Sequence, residues 1–387
     1  MKKKVALFIN SLTSGGAERV VSVLINELIE QGISVELFCI EHDNAFTIPK
    51  EVNIIYLSSL TKHDSSLKKL LYLPYLALKL KKEIKKRNIE LLQSHIYRAN
   101  FINLLAKIFG SKHTVEVVEV TSINNLKDGN LAKKINFSLI QLLYGHADLV
   151  IFKAQRMRAE FLKNISYKGE NKVINNPYNI EKIQLMAKEP LLDFTFDKEK
   201  KYLITVGRLD REKGLVTLIE SLLFLDLSVE LVIIGEGEER ENLEQKIQEL
   251  KLEKRVHLLG KKNNPFQYVA AADLFVLSSH GEGFPNVLVE AMICNTAVIA
   301  TDCISGPREI LAPLTDINFQ LKKDIELAEN GILYPIKDTT ALVEAISLLL
   351  TNTELRESYI DKGVKKSKDY SLKKIVEQYK EVLCVAS

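Results

Sequence analysis

Two carboxylates, Glu282 and Glu290, have seven residues between them in the string Glu-Gly-Phe-Pro-Asn-Val-Leu-Val-Glu at 282–290. The first precedes a turn made by Gly283, Phe284 and Pro285, and the apolar run that follows predicts a helix carrying the second. Ionised carboxylates accept charge-assisted hydrogen bonds from hydroxyls, worth about 1.5–3 kcal/mol each. At the start of that helix the amides of Asn286, Val287 and Leu288 can face an anion. Upstream, residues 203–214 read Leu-Ile-Thr-Val-Gly-Arg-Leu-Asp-Arg-Glu-Lys-Gly, a buried strand running into a loop that carries Arg208 and Lys213. Fixed cations in such a loop stabilise a leaving group as it gains negative charge. Two cations for a diphosphate and two carboxylates for sugar hydroxyls make up the inventory of a nucleotide-sugar site. A hydrolytic carboxylate pair is the other chemistry open to two glutamates. It fits less well, because one member falls on a helix and both lie beside a phosphate-type loop.

Three further strings sit at predicted strand ends. Ser14-Gly15-Gly16-Ala17-Glu18-Arg19 follows the first strand and opens a helix, where glycines let the backbone approach a phosphate. Read alone, it is equally a tight strand-to-helix turn. Gly235-Glu236-Gly237 and Gly260-Lys261-Lys262 each end a strand. In Ser94-His95-Ile96-Tyr97-Arg98-Ala99-Asn100, His95 at a strand's C-terminal end can reach a cleft, although a lone histidine is more often structural.

The elements that must position these residues alternate along the chain. Val5–Ile9, Ser34–Ile40, Asn53–Leu57, Glu90–Ser94, Thr114–Val118, Asp148–Phe152 and Lys172–Ile174 read as short strands, with helical patterns such as Ala17–Gln31 and Ala99–Phe109 among them. A second series runs through Tyr202–Val206, Glu230–Ile234, Val256–Leu259, Leu274–Leu277 and Ala297–Thr301. Alternation of this kind predicts α/β architecture: two Rossmann-like, doubly wound parallel sheets with a cleft between them. The expected division is a first domain over 1–187, a charged linker at 188–201, a second domain over 202–368 and a C-terminal helical segment, 369–387. The mixed-charge stretch 318–329 breaks the pattern and is read as an excursion between strand-like segments.

The whole string 282–290, with Arg208 and Lys213 upstream, resembles the retaining glycosyltransferases of family 4, which have the two-domain GT-B fold. The resemblance is strongest from Tyr202 to Pro335. It implies that Glu282 contacts donor-sugar hydroxyls and that Glu290 grips the nucleotide ribose. It also implies that Gly15 and Gly16 line the cleft near the donor phosphates and the acceptor. Gly235 would turn near the nucleotide, and main-chain atoms around Lys261 would read the base. On the acceptor side it points to His95, Arg98 and Thr121. Many members place a histidine at the end of the fifth strand; here the region reads Glu-Val-Val-Glu-Val-Thr-Ser over 116–122, with Thr121 or Val120 at the matching position. The last helix is expected to cross back onto the first domain. The activity implied is transfer of a hexose or N-acetylhexosamine from a UDP-sugar, with no metal and no other cofactor, to a glycan on a polyprenyl diphosphate. Ser305-Gly306-Pro307-Arg308-Glu309-Ile310-Leu311, which recurs in bacterial members building surface glycans, favours an N-acetylhexosamine. Two other readings stay open: a sugar-nucleotide epimerase on the same fold, and a non-catalytic nucleotide-sugar or glycan binder.

The bulk composition agrees with this class. Four cysteines without short paired spacing argue against a cysteine zinc site and suit a reducing, cytoplasmic setting. No apolar run reaches the ~20 residues of a membrane span. Net charge is +3 overall but about +10 over residues 1–190 and about −7 beyond. Lys62–Arg87 holds nine Lys/Arg against two Asp/Glu, interleaved with leucines and tyrosines. From Pro74 onward it predicts a basic amphipathic helix, suited either to the inner face of an anionic membrane or to an ordinary solvated surface. Nucleic acid is a poorer partner, because no recognised module accompanies the charge.

Overall fold

Parallel strands need crossover connections, usually helices, and parallel sheets must be covered on both faces. The computed structural model, which describes residues 4–13, 15–43, 46–61, 63–127 and 130–383, shows two such sheets. Ser14, Lys62 and Cys384 lie outside the described residues.

The first sheet is built from β1 (Lys4–Ile9), β2 (Ser34–Cys39), β3 (Asn53–Tyr56), β4 (Leu91–His95), β5 (Thr114–Glu119), β6 (Leu149–Phe152) and β7 (Glu170–Val173). Their order is β3-β2-β1-β4-β5-β6-β7, all parallel. The chain reverses its direction of growth between β1 and β4, which opens a crevice at their C-terminal ends.

The second sheet contains β8 (Lys201–Val206), β9 (Val229–Ile234), β10 (Val256–Leu258), β11 (Leu274–Leu277), β12 (Ala297–Thr301), β13 (Glu326–Leu327) and β14 (Ile332–Tyr334). Their order is β10-β9-β8-β11-β12-β14-β13, with the same reversal between β8 and β11. β9 is buried along its whole length, as a central parallel strand requires. The mixed-charge stretch supplies β13, which pairs antiparallel with β14 at the sheet edge.

The chain divides into one unit of Met1–Pro177 with Lys373–Ser387 and a second of Tyr178–Leu372. The sequence reading put a charged linker at 188–201. In the structure that segment is packed into the second unit. Phe194 and Phe196 stack edge-on against Tyr202, and Asp193 pairs with Lys262 and accepts a hydrogen bond from Tyr268. The high charge is a wet outer face over an aromatic anchor, which composition alone does not reveal. The helix Leu372–Val382 buries Ile375, Val376, Tyr379 and Val382, and from Lys373 onward it belongs to the first unit.

The first unit holds several buried titratable groups, one of them in contact with that helix. Lys153 donates to the Tyr379 hydroxyl, Gln93 Nε2 donates to Glu116 at 2.7 Å, and the Tyr144 hydroxyl donates to Glu119 at 2.8 Å. Burial disfavours the charged form of each. It pushes Glu116 up to about 7 and Glu119 up to about 8, and pulls Lys153 down to about 7. From the ordinary value of 4.5 to about 8, folded Glu119 holds a proton that the unfolded chain has released. Its contribution to stability therefore falls as pH rises through that window. Glu119→Gln removes this dependence. Urea melts will show wild type losing ~1 kcal/mol or more relative to the variant between pH 5 and pH 8. Lys153 acts oppositely above about 7 and cancels in the difference between the two proteins. A gap that does not vary with pH would mean that Glu119 is ionised in the fold.

Candidate functional site

In the second unit the site residues cluster at the C-terminal ends of β8 and β11, the reversal point of the sheet. β8 runs into the Gly207–Gly214 loop, and β11 into Ser278, Ser279 and the 282–290 motif. Lys213 Nζ donates to Glu282 Oε1 at 2.7 Å, and Ser279 Oγ donates to the same oxygen at 2.6 Å. Burial pulls the Lys213 ammonium down, but the Glu282 and Asp210 carboxylates outweigh it and the net direction is up. Arg208 and Lys213 line one small cavity of about 10 Å³ with Gly207, Ser278 and Ser279. Arg208 is exposed and has no ion-pair partner among the described residues.

Local backbone geometry fixes this arrangement. Gly214 sits at φ 59°, and a Cβ there would fall 2.2 Å from the Ser278 carbonyl oxygen. That carbonyl therefore packs directly on the backbone behind Lys213, while Ser278 Oγ holds the Lys213 carbonyl at 2.8 Å. Gly235, expected among the donor contacts, has a packing role in the fold. At φ 149° its missing Cβ leaves room for the Gly207 carbonyl, which a side chain would meet at 1.7 Å. The Gly235-Glu236-Gly237 turn thus cradles the cationic loop, with the Leu209 amide bonded to the Glu236 carbonyl at 3.0 Å.

The 282–290 motif is pinned from behind. The Glu282 amide reaches the Ile304 carbonyl at 3.3 Å, and Ser305 Oγ donates to the Gly283 carbonyl at 2.9 Å. Gly306, at φ 92°, lies against Pro285. Phe284 is buried edge-on to Tyr370 at 5.4 Å, and the Tyr178 hydroxyl donates to Asn286 Oδ1 at 2.5 Å. The helix Asn286–Ile293 begins where the sequence predicts, but the Leu288 amide bonds to the Pro285 carbonyl at 3.0 Å. One of the three expected amide donors, that of Leu288, is thus already engaged within the helix turn. Glu290, the fifth residue of this helix, is buried. Lys261 is exposed just beyond β10, and the Gly260 carbonyl before it accepts from the Gly235 amide. Arg308 is buried away from the cationic loop, with a bidentate bond to Asp302 at 2.7 and 3.0 Å and a second carboxylate partner in Glu326.

In the first unit, Gly15 caps the helix Gly16–Glu30, and the Glu18 carboxylate folds back to within 2.2 Å of where a Gly15 Cβ would be. That helix start is covered by its own carboxylate, which does not favour a phosphate at Gly15 and Gly16. His95, expected to reach a cleft, is 1% exposed, and its Nε2 is bonded to Gln93 at 3.1 Å. Burial, then Lys153, keeps the ring well below its ordinary pKa, so it is a neutral core group. Arg98 does reach the crevice, where Nη2 pairs with Glu41 at 2.6 Å. Thr121 is half-buried beside the Tyr97 hydroxyl.

Sequence reasoning missed Ser279, Glu41 and Lys69. Ser279 follows an apolar strand and Glu41 lies two residues past one, so the rule that ligands bind beyond strand C-terminal ends marks both. Lys69 carries no such signal.

Two family models cover the chain: Glycosyltransferase Family 4 over residues 14–182 and Glycosyl transferases group 1 over residues 192–366. An N-acetylgalactosamine-N,N'-diacetylbacillosaminyl-diphospho-undecaprenol 4-alpha-N-acetylgalactosaminyltransferase of Campylobacter jejuni is 32% identical over 376 residues, covering 96% of this chain and 97% of the relative. A second Campylobacter jejuni protein, an alpha-1,4-N-acetyl-D-galactosaminyltransferase acting on a GalNAc-containing PP-undecaprenol, is 24% identical over 98% of both chains. The fold is shared with sucrose-phosphate synthase of Thermosynechococcus elongatus, with a TM-score of 0.81 at 20% identity over 100% of both chains. It is also shared with Anabaena HepE in complex with UDP-glucose, with a TM-score of 0.73 at 20% identity over 98% of this chain and 99% of that one. With both halves matched and a relative this similar over nearly its full length, the chain belongs to the family 4 glycosyltransferases and has their two-domain GT-B fold.

Proposed function

We propose that this glycosyltransferase takes a sugar from a UDP-sugar, with retention of anomeric configuration and without a metal, and places it on a glycan carried by a polyprenyl diphosphate. The observation that carries this reading is the Lys213–Glu282–Ser279 knot beside exposed Arg208, at the reversal point of the second sheet. Support for the acceptor comes from the Campylobacter jejuni relatives, whose names specify diphospho-undecaprenol glycans. Support for the donor comes from the fold neighbour bound to UDP-glucose. An N-acetylhexosamine is the first donor to screen.

In this reading an incoming diphosphate competes with Glu282 for Lys213. The freed carboxylate, still oriented by Ser279, accepts a donor-sugar hydroxyl. As the glycosidic C–O bond breaks, its electron pair passes to the diphosphate, where Lys213, Arg208 and the N-terminus of the 286–293 helix stabilise the charge. Those fixed positive groups do the work that a divalent cation does elsewhere. No residue here is assigned as a covalent nucleophile. The departing phosphate oxygen takes the proton of the acceptor hydroxyl, which attacks from the same face. No helix among the described residues is long and apolar enough to cross a membrane. Peripheral attachment to an anionic inner membrane face is part of the proposal, through the exposed Lys82, Lys85 and Lys86 with Tyr75 and Leu78. The rest of the basic segment is less available. Lys79 and Lys81 donate to the Leu57 and Phe109 carbonyls, and Arg87 pairs with Glu83 and Glu36.

Calorimetric titration in EDTA will show UDP binding ahead of GDP and ADP. Lys213→Ala and Glu290→Gln will each weaken UDP by roughly 10–100-fold, the loss of one charge-assisted bond. Folded wild type that binds no nucleotide removes the donor-site reading. NMR of the product will show the anomeric configuration of the donor retained; an inverted product rules out same-face attack.

A further inference from the structure

The first unit holds two adjoining clefts that share Asn10, Lys69, Ile96 and Arg98. One, of about 420 Å³, is polar, with Ser11, Thr13, Glu18 and Glu41 adding hydroxyls and carboxylates to its wall. The other, of about 410 Å³, is walled by Leu67, Leu70, Leu73, Phe101 and Ile135. Its apolar rim is open to solvent: Leu67 is 65% and Ile135 37% exposed. Both volumes fall in the range of small-molecule sites.

Cations stand where the two halves meet. Lys69 and Arg98 both approach Glu41, at 3.5 and 2.6 Å. Arg98 Nη1 is buried and makes no hydrogen bond among the described residues. A buried donor left in that state is costly until a ligand satisfies it. Ile96 adds a second observation at the same wall. It is β-branched and held at φ 71°, a conformation that such a side chain rarely adopts and that clusters at ligand sites.

We propose that the two clefts form one bipartite acceptor site. Sugar hydroxyls occupy the polar half, the diphosphate lies on Lys69 and Arg98, and the first isoprene units lie in the leucine-lined half. The sequence of chemistries along a prenyl-diphosphate glycan, from hydroxyl-rich to doubly anionic to hydrocarbon, matches the order of the walls. This rests on the reading that the acceptor is a lipid diphosphate, and it adds that the protein binds part of the lipid chain itself.

The test titrates the full chain with farnesyl diphosphate, farnesol and inorganic diphosphate. Farnesyl diphosphate is expected to bind at least ten-fold tighter than either of the others. Ile135→Glu and Arg98→Ala should each weaken it at least ten-fold. Leu142→Glu, on the same helix (Leu131–Leu143) but outside the cleft, should leave it unchanged. Far-UV circular dichroism and a cooperative melt confirm that each variant is folded. Equal binding of farnesol overturns the proposal in favour of a general apolar face, and equal binding of diphosphate in favour of a simple anion site. Equal losses in Ile135→Glu and Leu142→Glu overturn it in favour of adsorption to a lipid surface. UDP titration separates the two readings: UDP binding with no farnesyl diphosphate binding defeats this inference alone, whereas the reverse defeats the donor reading.

Discussion

One ion pair organises the second unit: Lys213 to Glu282, 2.7 Å apart and largely shielded from water. A shielded pair is held at a desolvation cost and repays it only with good geometry and further hydrogen bonds. Ser279 supplies one such bond at 2.6 Å. The backbone around it is arranged so that neither charge can drift. Gly214 admits the Ser278 carbonyl, Gly235 admits the Gly207 carbonyl, and the His280 amide ties to the Glu212 carbonyl at 2.7 Å. Each contact joins the loop after β8 to a neighbouring strand end. The sheet's reversal point places β8 and β11 side by side, so the two chemical groups meet there although 69 residues separate them.

A second layer holds the first. The loop after β12 is bound to the 282–290 motif through the Ile304 carbonyl, Ser305 Oγ and Gly306. That loop is in turn anchored by buried Arg308, whose guanidinium spans Asp302 and Glu326 and lies 5.0 Å from the Phe319 ring. Removing one partner of such a network leaves an uncompensated buried charge, typically ~3–5 kcal/mol of destabilisation. The Ser305–Leu311 string, read from the sequence as a family signature, acts physically as a brace for the site.

The strand series and the sheet architecture were legible in the sequence because parallel strands buried on both faces are nearly continuous apolar runs. The chemistry of 282–290 was legible for a different reason: its glutamates, turn and helix start are local in the chain. What escaped was long-range. Nothing local shows that Arg98 will meet Glu41 from another strand. For His95 the sequence leaves cleft and core readings open, because a polar residue at a strand end looks exposed until Gln93 and Lys153 are seen around it. The charged stretch 188–201 was misread as a linker because Phe194 and Phe196, its two anchors, are a small minority among its charges.

In the proposed function the Lys213–Glu282 pair is a donor site that a diphosphate opens. A crystal structure with UDP bound tests it most directly. Lys213 Nζ is expected on a phosphate oxygen, with Glu282 retained by Ser279 and turned toward the sugar position. UDP bound elsewhere, or Lys213 still on Glu282 with UDP beside it, would rule out a donor site opened by the diphosphate.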